Sequence, residues 1–141
     1  MRHNFDSVNV STIIFNRQGQ VLLGKRSMDE DVYPGLWGIP GGKIDVTEFE
    51  NGIVEHNLYR EVKEEMGITI KIVDYLSSNS LEAEGQAKLY LIFISEYISG
   101  TPQALEDTVE VRWFDPKELT PAMLTPKTYH NIIDASKHNK V

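Results

Sequence analysis

"REVKEEMG", Arg60–Gly67, places three glutamates within five residues of one another. Glu61, Glu64 and Glu65 stand at i, i+3 and i+4, so on a helix they are neighbours, and like charges so placed repel. The residues around them supply that helix. From about Ile53 to Met66, Val54, Leu58, Val62 and Met66 recur every four positions and form one apolar stripe. Gly67 is a natural C-terminal stop. At about 100° per residue, and with Val62 as the middle of the stripe, Glu65 lies about 60° away, Glu61 about 100° and Glu64 about 160°, all on the same side. Glu65 is therefore expected at the edge of the buried face and Glu61 just beyond it. Taken alone, an acidic run is usually a solvated face, softened here by Arg60 and Lys63. The functional alternative is a divalent-cation site, because hard cations select clustered oxygen ligands.

Strand signals flank this helix. Val8–Phe15 ("VNVSTIIF") and Val21–Arg26 ("VLLGKR") are β-rich and separated by the hairpin-like turn "NRQGQ". Residues 27–35 ("SMDEDVYPG") read as a loop, and 36–42 ("LWGIPGG") as a short apolar run closed by Pro40, Gly41 and Gly42. Beyond the helix, 68–76 ("ITIKIVDYL") reads as a strand and 77–86 ("SSNSLEAEGQ") as a loop. Residues 87–97 ("AKLYLIFISEY") are apolar enough for a central strand, and Val109–Asp115 form another. "PKEL" suits one turn of helix with Pro116 at its first position, and a final helix is expected over 127–138. These elements predict an α/β fold, a mixed sheet covered on both faces. No internal repeat or composition shift divides the chain, so 1–141 reads as a single domain.

Composition narrows the function classes. The chain has 141 residues, 40% hydrophobic and 25% charged, the profile of an ordinary globular domain. A formal net charge of −7 argues against a nucleic-acid polymer as partner. It leaves room for a phosphorylated small molecule, because a metal reverses the local sign of a site. There is no cysteine, hence no disulfide or thiolate chemistry. No signal-peptide or membrane-spanning run is apparent, and a cytoplasmic protein without membrane contact is expected.

The helix does not stand alone. "PGGKIDVTE" lies upstream, and Gly42–Ile68 as a whole resembles the Nudix box: Gly, five residues, Glu, seven residues, then Arg-Glu-apolar-x-Glu-Glu-x-Gly-apolar. Gly42 and Glu48 have the first spacing, and Arg60, Glu61, Val62, Glu64, Glu65, Gly67 and Ile68 match the second half. The chain is thus similar over essentially its full length to Nudix hydrolases. That resemblance implies an α/β/α sandwich with the catalytic helix on one face of the sheet and a C-terminal helix on the other. One departure is plain: residues 49–59 stand between Glu48 and Arg60, four more than the family's seven, about one helical turn. The helix could start a turn early, with Thr47 as cap and Glu50 completing a capping box. Alternatively "FENG" (49–52) bulges and Asn51 caps a helix of normal length. The bulge is preferred because Gly52 is a poor helix-interior residue.

The resemblance also implies a chemistry: hydrolysis of a nucleoside diphosphate linked to another group. It implies that Glu61, Glu64 and Glu65 hold Mg²⁺ or Mn²⁺ together with a backbone carbonyl near Gly41 or Gly42, that Arg60 orients the glutamates and the loop, and that Glu48 braces the loop. The general base would be a box glutamate or an acid in the loop before the late strand, where Glu106, Asp107 and Glu110 stand. Arg26 matches a phosphate-contacting position, although an exposed strand-end cation explains it equally well. Trp37 and Trp113 read as core aromatics more readily than as base-stacking groups. His3, His56, His130 and His138 lack metal-ligand spacing. "GLWGIPGGKID" is most similar to the MutT-like small nucleoside-triphosphate pyrophosphohydrolases, including those acting on oxidised dGTP. The expected substrate is a (d)NTP, canonical or oxidised, cleaved to NMP and pyrophosphate. The alternatives are an ADP-ribose or nucleotide-sugar pyrophosphatase and a non-catalytic nucleotide-sensing module. Monomer and homodimer both remain open.

Overall fold

The computed structural model describes residues 3–46 and 50–138. Seven strands form one mixed sheet. They are β1 (Ser7–Phe15), β2 (Val21–Arg26), β3 (Trp37–Gly38), β4 (Gly41–Lys43), β5 (Thr69–Ala83), β6 (Gln86–Ser99) and β7 (Thr108–Phe114). The main path runs β3-β2-β1-β6-β5, with β4 pairing with β1 and β7 with β2. β1 and β6 are parallel from Ser7 opposite Lys88 to Phe15 opposite Glu96, while β2–β7 and β5–β6 are antiparallel. Helix α1 (Ile53–Met66) covers one face and α2 (Thr128–His138) the other.

Strand alternation builds both core layers at once. Val10, Ile14 and Leu22 meet Leu58, Val62 and Met66 of α1. Ile13, Phe15, Val21 and Leu23 face the other way and meet Trp37, Phe114 and Ile132. β1 is thus buried on both faces. The long apolar strand β6 is central, as its composition predicts. Trp37 packs edge-to-face on Phe114 within the core, and Trp113, half-buried, packs on Tyr97 against the other core layer.

Two expectations are corrected. Residues 77–86 are not a loop: Ser77–Ala83 continue β5, and Gln86 opens β6. Asn79, Leu81 and Ala83 turn partly inward while Ser78, Ser80 and Glu82 face solvent, a period-two pattern that polar residues obscured. The turn is Glu84–Gly85 alone, with φ of 53° and 77°, the two positive values of a type I′ hairpin turn. The second correction concerns the start of α1. The helix begins at Ile53, so the early start is not adopted, and the N-cap is Gly52 rather than Asn51. Gly52 sits at φ 71° with no side-chain cap. A glycine holds this left-handed geometry at little cost. Thr47, Glu48 and Phe49, which carry part of the expected bulge and the bracing glutamate, lie outside the described residues.

The turn of helix expected at Pro116 is a 3-10 turn, Pro116–Glu118, capped by Asp115 with a reciprocal bond from the Asp115 N–H to Glu118.

Candidate active site

The apolar stripe seats α1 on the sheet, and that seating fixes the glutamates. Their burial follows the helical angles: Glu65 is drawn in, Glu61 has a side chain 14% exposed, and Glu64 projects outward at 47%. Gly41 and Gly42 of β4 lie against the first two. The Gly41 N–H donates to Glu65 Oε2 (3.2 Å), and a Cβ built on Gly42 would lie 2.6 Å from Glu61 Cδ. The approach of backbone to carboxylate therefore requires glycine at 42.

This closeness shapes the electrostatics. Burial, and then the carboxylates of Glu61, Glu106 and Asp107, push Glu65 up to about 8 against the opposing Gly41 hydrogen bond. Burial also raises Glu61, opposed by its hydrogen bond from Arg60. Arg60 lies among several acceptors: Glu61 Oε1 at 3.4 Å, Glu64 Oε1 at 3.7 Å and Asp45 Oδ2 at 3.8 Å.

Asn57 is a site-supporting residue that sequence reasoning missed. It is 1% exposed. Its Oδ1 accepts from the Arg60 guanidinium (2.8 Å) and from the Asp45 N–H (3.0 Å), while Nδ2 donates to the Ile53 carbonyl (2.8 Å) and to the Asp45 carbonyl (3.3 Å). One carboxamide thus joins the loop after β4 to α1 and fixes the arginine. The available signal was a polar residue one position before Leu58, at the border of the apolar stripe.

The segment before β7 is tied to the end of α1. The Gln103 N–H donates to the Met66 carbonyl (3.0 Å) and the Leu105 N–H to the Glu65 carbonyl (3.1 Å), occupying acceptors that a helix end leaves unsatisfied. Glu106 follows at φ 53°, and Glu106 and Asp107 face a cleft of about 490 Å³ that Glu65 also lines. Glu110 does not line it; it is exposed on β7 opposite Lys25. Arg26 does line the cleft, with its Nε donating to the Val32 carbonyl (2.9 Å) and its guanidinium 3.5 Å from Glu30. The histidines lie elsewhere: His56 beside Glu50, His130 beside Asp134 and His138 beside Asp74.

Among the described residues, no three acidic or histidine side chains converge as a ready-made metal cage. Mg²⁺ does not need one. It retains several waters and takes one or two carboxylates together with substrate phosphates. Two partly buried carboxylates, raised chiefly by burial and then by neighbouring carboxylates, against a backbone strand that has no Cβ in the way, fit such an ion.

An α/β/α sandwich that sets a glycine strand against a carboxylate helix beside an open cleft defines a class, the Nudix fold. The family model described as the NUDIX domain matches residues 6–134, and the chain belongs to that family. It is a Nudix hydrolase, of the class acting on a nucleoside diphosphate linked to another group. The chain is 32% identical over 120 residues to the CTP pyrophosphohydrolase of Escherichia coli (strain K12), covering 84% of each. A MutT NUDIX hydrolase structure from Burkholderia pseudomallei is 29% identical with a TM-score of 0.76, covering 91% of this chain and 96% of that one. A MutT protein structure from Methanosarcina mazei Go1 covers 100% of both chains with a TM-score of 0.80 at 22% identity, a likeness of fold. Nudix hydrolases generally use divalent metal ions. No helix among the described residues is long and apolar enough to cross a membrane.

Proposed function

We propose that this protein hydrolyses a (d)NTP to NMP and pyrophosphate, with Mg²⁺ as its natural ion and Mn²⁺ as a substitute. The carrying observation is that Glu65, paired with Glu61 at the Gly41–Gly42 strand, opens into the same cleft as Glu106, Asp107 and Arg26. Similarity to a CTP pyrophosphohydrolase over most of both chains supports a nucleoside triphosphate as the substrate class. We read residues 1–141 as one Nudix domain with its box at 42–68 and a four-residue insertion between Glu48 and Arg60.

Glu61, Glu64 and Glu65 would hold the ion together with the Gly42 carbonyl. When bound, it would supply charge neutralisation for the phosphates and a lowered pKa for water. The chain's own residues do the remaining work. Arg60, held by Asn57, keeps Glu61 and Glu64 aimed and offsets their repulsion. Glu106 or Asp107 accepts the proton of the attacking water; their place in the cleft favours them over Glu110. The new P–O bond forms as the anhydride P–O bond breaks, and pyrophosphate leaves with the bond's electron pair. Arg26 supplies positive charge to the phosphates. Its exposed pairing with Glu30 is worth only about 0–1 kcal/mol, so a charged phosphate oxygen competes with it easily.

A substrate panel tests this reading: CTP, the other canonical and oxidised (d)NTPs, ADP-ribose, nucleotide sugars and dinucleoside polyphosphates, each with Mg²⁺ and product analysis. Release of NMP and pyrophosphate from a triphosphate supports it. Turnover confined to ADP-ribose or sugar nucleotides overturns the substrate class, and binding without turnover overturns the hydrolytic role in favour of a sensing module.

A further inference from the structure

Strand β5 is an outer edge of the sheet, and its two halves are finished differently. Among the described residues the path β3-β2-β1-β6-β5 ends on it, so one side of the strand carries backbone groups that no other strand takes up. Edges of this kind recruit further strands unless something blunts them. From Thr69 to Ser77 the edge is blunted. The register with β6 slips at Thr69/Ile70, Ile72/Asp74 and Tyr75/Ser77, and such bulges bend a strand. Side chains also take two N–H groups there: Ile72 donates to the Tyr59 hydroxyl (3.2 Å) and Tyr75 to the Asp74 carboxylate (2.9 Å). From Ser77 to Ala83 the pairing with β6 runs without a slip, from Ser77 opposite Ile92 to Ala83 opposite Gln86. Among the described residues, no hydrogen bond from outside the β5–β6 ladder reaches this stretch. The turn at Glu84–Gly85 fixes which groups point outward. Residues flanking a two-residue hairpin turn exchange both their backbone bonds, so Ala83, and with it Leu81 and Asn79, direct their polar groups to β6. Ser78, Ser80 and Glu82 direct theirs to the open side.

We propose that a second copy of this chain pairs with residues 77–83, β5 against β5, antiparallel about a two-fold axis at Ser80. The order of residues selects a second copy over an unrelated strand. With that axis Ser80 stands opposite Ser80, Ser78 opposite Glu82 and Asn79 opposite Leu81. The outward groups of Ser78, Ser80 and Glu82 then meet in pairs that each exchange two backbone bonds. Opposed serines, and a serine opposite a glutamate, are hydrogen-bonding pairs, and no like charges face one another. In a chain of net charge −7 this stretch, "SSNSLEA", holds a single charged residue, Glu82. The two copies of Glu82 stand four residues apart along the joined strands, about 14 Å, beyond the screening length of about 8 Å at physiological ionic strength. The contact also reaches the cleft. Asn79 and Leu81 line it, so the two-fold axis sets Leu81 of each copy beside Asn79 of the other and brings the two clefts to a common border. The pairing is independent of the chemistry proposed for the cleft.

The chain has no cysteine, so a single introduced one reports the contact and its register. Hydrogen-bonded partners in an antiparallel pair have Cα atoms about 5.5 Å apart, within the range a disulfide spans. With diamide as oxidant, Ser80→Cys should therefore crosslink to a dimer on a non-reducing gel. Ser78→Cys alone should not, because Glu82 faces it, whereas a mixture of Ser78→Cys and Glu82→Cys should form the crossed dimer. Sedimentation velocity of the full chain over a concentration series should show a monomer–dimer equilibrium. Ser80→Pro removes an outward N–H and spares the ladder with β6, so its melting temperature should stay close to the parent's. Its dimer dissociation constant should rise by about tenfold or more, the scale of the two hydrogen bonds lost across the axis. A parent that is monomeric at every concentration, or a Ser80→Cys that does not crosslink, overturns the pairing and leaves the edge to a different partner. Equal crosslinking of Ser78→Cys and Ser80→Cys, each alone, overturns it as random collision. A folded Ser80→Pro that dimerises with unchanged affinity places the interface elsewhere and overturns it too.

Discussion

Gly42 and Glu61 compete for the same space: a Cβ on the glycine would lie 2.6 Å from the carboxylate carbon and from Oε2. The clash is with the end of a flexible side chain, so Gly42→Ala should fold and push Glu61 aside. Turnover should fall at least tenfold, with weaker Mg²⁺ binding and a nearly unchanged melting temperature. Gly41 differs, because its added Cβ would meet the Val10 carbonyl at 2.1 Å and the Ser11 Cα at 2.7 Å, both backbone. Gly41→Ala should therefore lower the melting temperature markedly. Circular dichroism melts and metal titrations of the pair check this, and equal thermal losses in both variants would contradict it.

Asn57 holds its helix, its loop and Arg60 with a single carboxamide. Asn57→Leu removes those bonds and leaves the Asp45 N–H and one guanidinium arm without their partner. Orphaned groups cost about 1–3 kcal/mol each when buried; Asp45 is exposed and Arg60 partly so, and denaturant unfolding should show a loss of about 1–3 kcal/mol in all. Arg60→Gln should cost less stability, because Asn57 keeps its bonds to Asp45 and Ile53. A larger loss in Arg60→Gln would place the brace in the arginine instead.

The legible part of this molecule is the part with a period. The four-residue repeat of Val54, Leu58, Val62 and Met66 located α1 and ranked the burial of Glu65, Glu61 and Glu64 in the order observed. The apolar run of β6 similarly indicated a central strand. Ser77–Ala83 were misread because their pairing with β6 is backbone chemistry, which side-chain polarity does not report. Asn57 was missed for a related reason. An asparagine at the border of an amphipathic helix looks alike in sequence whether it braces a loop, faces a cleft or meets water. The ties from Gln103 and Leu105 to the end of α1 run through backbone atoms between segments far apart in sequence, and no spacing rule encodes them.

Glu65 makes the metal-free protein sensitive to pH. Folding raises its carboxyl from 4.5 to about 8, so between those values the native state holds a proton that the unfolded chain releases. Stability then falls as pH rises through that window. The penalty above pH 8 is on the order of a few kcal/mol. Glu65→Gln keeps an acceptor for the Gly41 N–H and cannot ionise. The parent should match the variant near pH 4.5 and become progressively less stable than it towards pH 8.5, as measured by urea unfolding of metal-free samples. A constant difference across that range would mean that Glu65 is not buried as described.

Metal should reverse the repulsion that the opening of α1 towards the cleft preserves. Glu61 and Glu65 are crowded at the glycine strand, partly desolvated and near one another; a divalent ion turns that unfavourable pair into ligands. Mg²⁺ should raise the melting temperature of the parent, because an ion that binds only the native state stabilises it by mass action. Chelation should abolish turnover, and added Mg²⁺ or Mn²⁺ should restore it. Glu61→Gln, Glu64→Gln and Glu65→Gln should each retain the fold and lose roughly a hundredfold or more in kcat, the scale of removing a main electrostatic stabiliser. Their metal-free stabilities should differ. Glu65→Gln and Glu61→Gln relieve buried crowding and should melt above the metal-free parent. Glu64→Gln should change little, because Glu64 is 47% exposed and its Arg60 contact is 3.7 Å long. Lys63 is the control: it lies on the other flank of α1, in the groove with His56 and Tyr59, and Lys63→Gln should leave both turnover and metal response intact. Full activity in chelator, or undiminished turnover in all three glutamine variants, would remove the metal from the mechanism.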